Sequence, residues 1–297
     1  MFNLPTEKVN WGHPITSRLC FATLMNDWSA ARCRSLVGPS NGVFTGTTIP
    51  AWKGGVNAGL FFTGGLATVS YLSYGTDTAT IDLGRNTSNP VTFAFSIYAG
   101  VGNANAAIAG RNDGNTVSAG WQISFTAGTA ITYTKESNTT NMNVTFVVPT
   151  SRWITVVIVA DGSLTAANQL FYVNGILQVH TLDTNGVGTP GSDSAETLYI
   201  GRGNAAYVGA NGSLDGTLGF FYIWKRVLTE YEVNLLTVNP MIILQSYKVT
   251  GRRISAGGGG AGKGGGGGKK GGGGAKTVLI PGGATYINLG NAGLDVS

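Results

Sequence analysis

Residues 213–240, SLDGTLGFFYIWKRVLTEYEVNLLTVNP, decide the fold of this chain. In the first half of the stretch, apolar side chains recur at every second position, which is the period of a β-strand. The period predicts that one strand face carries Leu218, Phe220, Tyr222 and Trp224. The opposite face carries Phe221 and Ile223, so the strand is expected to be covered on both sides.

The second half of the same stretch carries the signals of a short helix. Thr229 followed by Glu232 is a capping box, in which each side chain satisfies a backbone N–H at the helix start. Leu228 and Val233 flank the box at the spacing of a hydrophobic staple. The helix is expected to end at Asn239-Pro240, because the residue before a proline is disfavoured in helical geometry.

Short apolar runs separated by turn residues predict many strands in the rest of the chain. Val91–Tyr98 alternates strongly and is expected to be a central strand. Asn174-Gly175 is the strongest hairpin signal and joins the predicted strands Leu170–Val173 and Ile176–Thr181. Asn41–Gly46 has the composition of a turn. Many short strands at close spacing favour an all-β jelly roll with two sheets.

Four pieces of the chain occur in an order and spacing that match a known type of domain. They are AWKGGVNAGLFFTGG (51–65), RWITVVIVADGSLTAANQLFYVNGILQ (152–178), ETLYIGRG (196–203) and IWKRVLTEYEVNLL (223–236). The pieces resemble the strands and the closing helix of laminin-G-like, concanavalin-A-like lectin domains, from about residue 15 to residue 240. The resemblance implies a two-sheet jelly-roll sandwich with one short C-terminal helix. The opening, VNWGHPITSRLCFATLMND (9–27), further resembles the version of this domain that is common in bacteriophage genomes.

Composition limits the class of protein. The chain has 297 residues, of which 42% are hydrophobic and only 11% are charged, and it contains 47 glycines. Much of the net charge of +5 lies in the C-terminal tail, so the folded domain is not expected to bind nucleic acid. No secretory signal or membrane-spanning run is recognised. Cys20 and Cys33 are therefore expected to be reduced and partly buried, with a disulfide as the less favoured alternative.

Changes in amino-acid composition along the chain predict five segments. They are an N-terminal arm (1–14), the laminin-G-like sandwich (15–240), a connector (241–256), a Gly/Lys-rich linker (257–276) and a terminal β-hairpin segment (277–297). The linker is too rich in glycine to form a core and is expected to behave as a flexible tether. A lone hairpin is marginal in water, so the last segment is expected to add to another sheet.

The acidic residues do not form a catalytic pattern. Glycosidases with this kind of sandwich place a tight E-x-D-x-E-like row on one strand, and none of the five glutamates lies in such a row. Asp193 and Glu196 are expected to be solvated in a Gly/Ser loop. His13 and His180 are the only histidines, which leaves little for a triad. The sequence therefore predicts no enzyme, no catalytic residue and no cofactor site.

A calcium site is also weighed and not predicted. The family resemblance implies an acidic residue just before the closing strand, but that position is Phe220 here. Asp215 could substitute, although a turn aspartate in Leu-Asp-Gly is the favoured interpretation. Gly257–Lys263 matches only the start of a phosphate-binding loop, since the following hydroxyl residue is missing. No metal or nucleotide is expected.

Two classes of function follow. The first is a structural protein of a phage particle, such as a capsid decoration, head-fibre or tail-associated subunit. Its expected location is the virion, and its expected partners are other virion proteins, further copies of itself and host surface glycans. The alternative is a module that binds host or environmental polysaccharide. For that alternative the available aromatic side chains are Trp52, Trp121, Tyr133, Tyr207 and Trp224, most of which are expected in the core.

Overall fold

The computed structural model describes residues 8–29, 32–38, 41–53, 59–64, 70–76, 89–99, 106–112, 119–126, 128–203 and 212–244. The chain separates into two units, Met1–Tyr247 and Lys248–Ser297. The second unit lies outside the described residues, and so do the predictions made for 257–276 and 277–297. None of the helices in the described part of the chain is long and apolar enough to cross a membrane.

The described residues form seventeen strands and one α-helix. The strands are β1 (Leu19–Ser29), β2 (Arg32–Val37), β3 (Gly42–Gly46), β4 (Ala51–Lys53), β5 (Gly59–Phe62), β6 (Ser70–Ser73), β7 (Val91–Ala99), β8 (Ala107–Asn112), β9 (Gly120–Thr126), β10 (Ala130–Lys135), β11 (Met142–Val147), β12 (Trp153–Ala160), β13 (Leu170–Val173), β14 (Ile176–Leu177), β15 (His180–Thr184), β16 (Tyr199–Ile200) and β17 (Gly216–Trp224). The helix is α1 (Glu230–Val238), and 3-10 turns occur at Pro14–Thr16, Ala166–Asn168 and Pro240–Ile243.

The strands form two antiparallel sheets that are joined at one edge by a strand that pairs with both. The first sheet has the order β14-β13-β12-β7-β17-β1, and β5 also pairs with the start of β17. The second sheet has the order β15-β11-β10-β9-β8-β16-β6-β3. β2 pairs with both β1 and β3, so it joins the sheets along one side. The predicted two-sheet all-β sandwich is confirmed, and Val91–Tyr98 is central, since β7 lies between β12 and β17.

The core between the sheets is built from aromatic rings that both sheets contribute. Phe95 of β7 stacks on Phe221 of β17, with ring centroids 5.7 Å apart. Phe93 of β7 meets Trp121 of β9 across the sandwich at 4.5 Å. These rings are buried, and burial of a large aromatic side chain is among the strongest single contributions to a core. The inner faces of the two sheets therefore pack directly on each other.

The first sheet is covered on its outer face as well. Trp224 is fully buried there, and its indole Nε1 donates to the Ile15 carbonyl oxygen at 2.7 Å. Val233 and Leu236 of α1 pack in the same apolar cluster. Val9 and Ile243 join this cluster, so residues beyond both predicted sandwich boundaries contribute to it. The prediction that β17 is covered on both sides is confirmed.

The predicted start of α1 is also confirmed. The Thr229 side chain accepts from the Glu232 N–H, while the Glu232 carboxylate accepts from the Thr229 N–H at 2.9 Å. Leu228 and Val233 are both buried, as a hydrophobic staple requires. The Arg226 guanidinium adds an ion pair to Glu232 at 2.6 Å. The helix is therefore fixed to the end of β17 at its first turn.

The predicted position of Leu218 is wrong. Leu218 lies in the core between the sheets with Phe221, whereas Phe220 faces the outer cluster. Leu218 pairs with Ile97 but Phe220 pairs with Ser96, so β17 contains one extra residue, Gly219, at this point. Such a β-bulge reverses the alternation of faces. A uniform period of two therefore misplaces the residue before the bulge.

The prediction of turn structure over Asn41–Gly46 is also wrong, because Gly42–Gly46 forms β3. The glycine at position 42 serves close packing. A Cβ atom there would lie 2.6 Å from the ring of Tyr74. The strand expected over Ile176–Thr181 is split. The Asn174-Gly175 hairpin forms, with φ of 51° and 80°, but the chain then leaves β14 and crosses to the second sheet as β15.

Both cysteines are free and buried. The Cys33 sulfur lies 3.3 Å from the Thr23 hydroxyl oxygen. Burial raises the pKa of the Cys20 thiol to about 12. A buried thiol of this kind is a poor nucleophile, because only the thiolate reacts readily. The two side chains act as small apolar groups of the core.

Candidate functional site

The outer face of the second sheet carries uncharged hydrogen-bonding side chains. Along β9, β10 and β11, inward-facing apolar residues alternate with polar residues. The outward-facing polar side chains, here called the polar face, are Gln122, Ser124, Thr126, Thr132, Thr134, Asn143 and Thr145, and Ala130 and Val147 face outward at one end of these strands. Lysine and glutamate are common on a solvent-exposed strand face, yet none of these side chains is charged. The polar face can donate and accept hydrogen bonds without a charge to desolvate.

The strand register places part of the polar face in one straight row. Gln122 lies opposite Thr134, which lies opposite Asn143 on β11. On the other side, Gln122 is opposite Gly110, which pairs with Tyr199 of β16. From β16 to β11 the row crosses four strand spacings of about 4.8 Å each, or about 19 Å. Tyr199, Thr134 and Asn143 in this row are partly exposed, whereas Gly110 and Gln122 are buried, so a ligand would contact the row at its two ends.

Hydrogen bonds within the face fix the side chains before any ligand binds. The Thr132 hydroxyl lies 2.6 Å from that of Thr126 and 2.8 Å from that of Thr145. Thr134 donates to the Asn143 side-chain oxygen at 2.7 Å. The Asn143 amide nitrogen in turn donates to the Asn141 carbonyl oxygen at 3.5 Å. Preorganised groups lose less conformational entropy when a ligand is bound.

Gln122 is held by a second chain of hydrogen bonds. The Asn112 amide donates to the Glu136 carboxylate at 2.9 Å and lies 3.4 Å from the Gln122 side-chain oxygen. All three side chains are largely buried. Glu136 therefore acts through Asn112 to orient Gln122. Its carboxylate is engaged in this role beside the middle of the row.

Two tyrosines and an arginine lie at the β16 end of the row. The rings of Tyr71 and Tyr199 are 5.5 Å apart at 79°, an edge-to-face pair. The Arg202 guanidinium lies over the Tyr71 ring, 4.9 Å from its centroid, in the geometry of a cation–π contact. Both tyrosines are partly exposed. They offer an apolar ring surface beside the buried Gly110, which pairs with Tyr199.

The aromatic residues that the sequence singles out do not form the site. Trp121, Tyr133 and Trp224 are buried in the two apolar clusters, as the prediction of core positions requires. Tyr207 and the side chain of Trp52 lie outside the described residues. Sequence reasoning missed Tyr71, Tyr199 and the polar row. A usable signal was present, because three successive strands alternate apolar residues with Thr, Ser, Asn or Gln over most of their length.

The predicted solvation of Asp193 is wrong. Asp193 is fully buried, and its carboxylate lies 3.8 Å from the guanidinium of Arg111, which is also fully buried. The Arg111 Nε donates to the Asp193 carbonyl oxygen at 2.7 Å. A buried charge is tolerated only when a partner compensates it, so β8 anchors the loop that carries Asp193. Glu196, in the same loop, is partly exposed.

A second cation lies in the same register row as Arg111. Lys135 is opposite Trp121, which is opposite Arg111. Burial lowers the pKa of Lys135 to about 8, against the opposing effect of Asp161 and Asp193. Its ammonium donates to the Gly162 carbonyl oxygen. This end of the sandwich core therefore contains a compensated ionic cluster, and the cluster is buried rather than open to a substrate.

Both described histidines have local structural roles. The His13 ring nitrogen accepts from the Ile15 N–H at the start of a 3-10 turn. His180 contacts the Asp183 carboxylate at 2.9 Å and the Gln169 carbonyl oxygen at 2.8 Å. Among the described residues, no three His, Cys, Asp or Glu side chains come together as a metal site. Asp215 is exposed at the start of β17.

Comparison with known proteins agrees with this architecture. The profile of the concanavalin A-like lectin/glucanases superfamily, in its laminin-G form, matches residues 73–234, which is more than half of the chain. The chain belongs to this superfamily. A search of curated proteins finds no match.

Solved structures with a similar fold include binding domains of botulinum neurotoxins. The binding domain of neurotoxin DC in complex with rat synaptotagmin II is 15% identical, with a TM-score of 0.54 over 75% of this chain and 52% of that chain. The same binding domain in complex with SialylT gives the same values. A neurotoxin type C structure, reported with the dependence of cell entry on two ganglioside molecules, is 14% identical with a TM-score of 0.54 over 75% and 51%. The chain spans about half the length of these proteins, and the likeness concerns the fold alone.

Proposed function

We propose that this chain is a non-enzymatic binding domain that holds a glycan across its polar face. The observation that carries the proposal is that Thr134 and Asn143, which are uncharged and partly exposed, lie in one register row with Tyr199 of the Tyr71–Tyr199 pair. The virion location and virion partners expected from the opening sequence are a separate, second proposal.

The chemistry of a saccharide matches this surface. Each sugar ring presents hydroxyl groups that both donate and accept, and Thr, Asn and Gln side chains do the same. Desolvating neutral groups costs less than desolvating charges. The apolar face of a sugar ring can pack on the exposed part of a tyrosine ring. The ligand class that fits best is a neutral oligosaccharide or polysaccharide lying across β9 to β11.

Binding without hydrolysis is the expected outcome. Glycoside hydrolysis requires two carboxyl groups that flank one glycosidic bond. Of the described carboxylates beside the polar face, Glu136 is buried and bonded to Asn112, and Asp183 is engaged by His180. Membership of the superfamily and the ganglioside dependence reported for neurotoxin type C add support at the level of fold.

A glycan array followed by titration calorimetry tests the proposal. The protein is expected to bind neutral glycans, and Tyr199→Ala and Asn143→Ala are each expected to lower affinity about tenfold or more, or 1.4 kcal/mol. Tyr231→Ala is the matched control. Tyr231 is exposed on α1, and α1 packs on the first sheet, away from the polar face. Binding that survives both variants, or no binding to any glycan, contradicts the proposal. Release of reducing ends that Glu196→Gln abolishes would assign an enzyme instead.

The second proposal is that the chain is a subunit of a phage particle. It is supported by the N-W-x-H-P opening at Asn10–Pro14, by the low charge of the chain and by the apolar sandwich edge described below. Mass spectrometry of purified particles tests it directly. Peptides of this chain are expected in stoichiometric amounts after density-gradient purification. Their loss during purification would contradict a virion location and leave glycan binding untouched.

A further inference from the structure

The two sheets end differently on the two sides of the sandwich. On one side β2 bonds to both sheets and closes the gap between them. On the other side the sheets end at β14 and β15, each of which is paired on one side only among the described strands. The chain passes from one to the other through Gln178 and Val179. We call β14, β15 and this link the open edge.

Apolar side chains are exposed along the open edge. Ile176, Leu177, Val179 and Leu182 are all more than half exposed, and Val179 is 86% exposed. They lie within seven consecutive residues. Leu177 lies opposite Tyr172 on the outer side of the first sheet, and Leu182 lies opposite Thr145 on the outer side of the second. Four exposed apolar side chains in so short a stretch, beside unpaired strand edges, favour an interaction surface.

The open edge has some of the features that normally protect edge strands, since β14 is only two residues long and Asp183 lies opposite the inward-facing Val144. Natural sheets block their edges with lysine, proline or inward-pointing charges. No lysine or arginine occurs between Arg152 and Arg202, and neither β14 nor β15 contains proline. The ionisable side chains of β15 are those of His180 and Asp183, which lie 2.9 Å apart. Lysine and proline are therefore not among the features that protect this edge.

We propose that the open edge is the interface with a second copy of this chain, formed by antiparallel pairing of β15 about a two-fold axis at Leu182. That pairing sets Leu182 against Leu182 of the second copy, and Thr181 against Asp183 of the second copy. No two like charges become opposite each other. The arrangement is self-complementary, as an isologous interface requires.

The pairing has a consequence for the polar face. It continues the second sheet of one copy into that of the other, with the axis perpendicular to the sheet. The two polar faces then lie on the same side of one continuous sheet. A glycan chain long enough to reach both faces would bind with a gain in avidity. This consequence rests on the proposed glycan binding, but the dimer itself does not.

Sedimentation velocity of the full chain across a wide concentration range tests the interface without any glycan. The wild type is expected to form a dimer. Leu182→Lys and Val179→Lys are each expected to raise the dimer dissociation constant about tenfold or more, with an unchanged circular dichroism spectrum. Val238→Lys is the matched control, because Val238 on α1 is also 86% exposed. It is expected to remain a dimer.

Three results would overturn the proposal. They are a wild type that stays monomeric at every concentration, a dimer that both edge variants leave intact, and an assembly larger than two copies. Val179 lies in the link between strands, so Val179→Lys keeps the test valid if Leu182→Lys does not fold. Val179→Lys should also keep the affinity for a short glycan. Loss of dimer with retained glycan affinity therefore separates this proposal from the proposed function.

Discussion

The outer faces of the two sheets differ, and the difference separates scaffold from binding surface. The outer face of the first sheet, here called the sealed face, is apolar. It is covered by α1, by the 3-10 turn at Pro14–Thr16 and by the turn at Pro240–Ile243. The outer face of the second sheet is polar, uncharged and partly exposed. Both sheets pack on one shared core. The first sheet is also covered on its outer face, whereas the second sheet presents polar side chains on its outer face.

The largest expected effect of a single substitution lies on the sealed face. Trp224→Ala should lower the free energy of unfolding by about 3–5 kcal/mol, because the indole is fully buried and donates to the Ile15 carbonyl oxygen. Urea unfolding measures the change. Trp11→Ala is the matched control, since Trp11 is largely exposed, and it should change stability by less than about 0.5 kcal/mol. Equal losses for both tryptophans would mean that the first sheet is not sealed.

Lys135 gives the next largest effect, and it depends on pH. Burial lowers the folded pKa of Lys135 to about 8, whereas an unfolded lysine titrates near about 10.4. Between these values the unfolded chain holds a proton that the folded chain has lost, so wild-type stability rises with pH in this window. Below about pH 8 both states are protonated and the full cost of the buried charge applies.

Lys135→Met removes this pH dependence. The stability of the wild type relative to the variant should rise by about 3 kcal/mol between pH 8 and 10.5. Urea unfolding of both proteins at each pH measures the difference, in which other groups cancel. Parallel curves would show that the ammonium is solvated and that the ionic cluster at this end is open.

The helix that seals the first sheet provides a smaller effect. Thr229→Ala should cost about 1 kcal/mol, since it removes the acceptor for the Glu232 N–H. Thr165→Ala is the control, because Thr165 begins a 3-10 turn without a side-chain cap. Thermal unfolding should leave the control unchanged. A Thr229→Ala variant as stable as wild type would mean that the capping box does not hold α1 on the sheet.

The sequence correctly predicted the elements that depend on interactions between residues close together in the chain. The capping box at Thr229 and the hairpin at Asn174-Gly175 involve residues within a few positions of each other, and both are confirmed. The alternation of β7 placed it correctly in the middle of the first sheet. These features could be predicted because turn chemistry and side-chain period act over a few residues.

The errors come from contacts between distant residues. The burial of Asp193 depends on Arg111, which is 82 positions away in sequence. Gly42 is needed because the Tyr74 ring packs on it, and Gly219 because β17 must bulge against β7. The polar face was missed for the same reason. Its side chains become neighbours only through the register of three strands, although the alternation within each strand was visible.

The smallest expected effect completes the comparison of the two faces. Thr134→Val on the polar face should change stability by less than about 0.5 kcal/mol, because Thr134 and its partner Asn143 are both partly exposed and can bond to water. Thr92→Val is the matched substitution on the sealed face. The buried Thr92 hydroxyl donates to the Arg226 carbonyl oxygen at 2.7 Å and accepts from the Leu228 N–H at 3.1 Å.

Removing the Thr92 hydroxyl leaves both backbone groups without their partner, so this variant should lose about 1–3 kcal/mol. Urea unfolding of the two variants gives the contrast directly. Glycan affinity should change in the opposite order, with Thr134→Val weakened and Thr92→Val unaffected. Similar stability losses for the two threonines would mean that the polar face is as structural as the sealed one. In that case the uncharged row would be part of the scaffold, and a glycan would have to bind elsewhere on the domain.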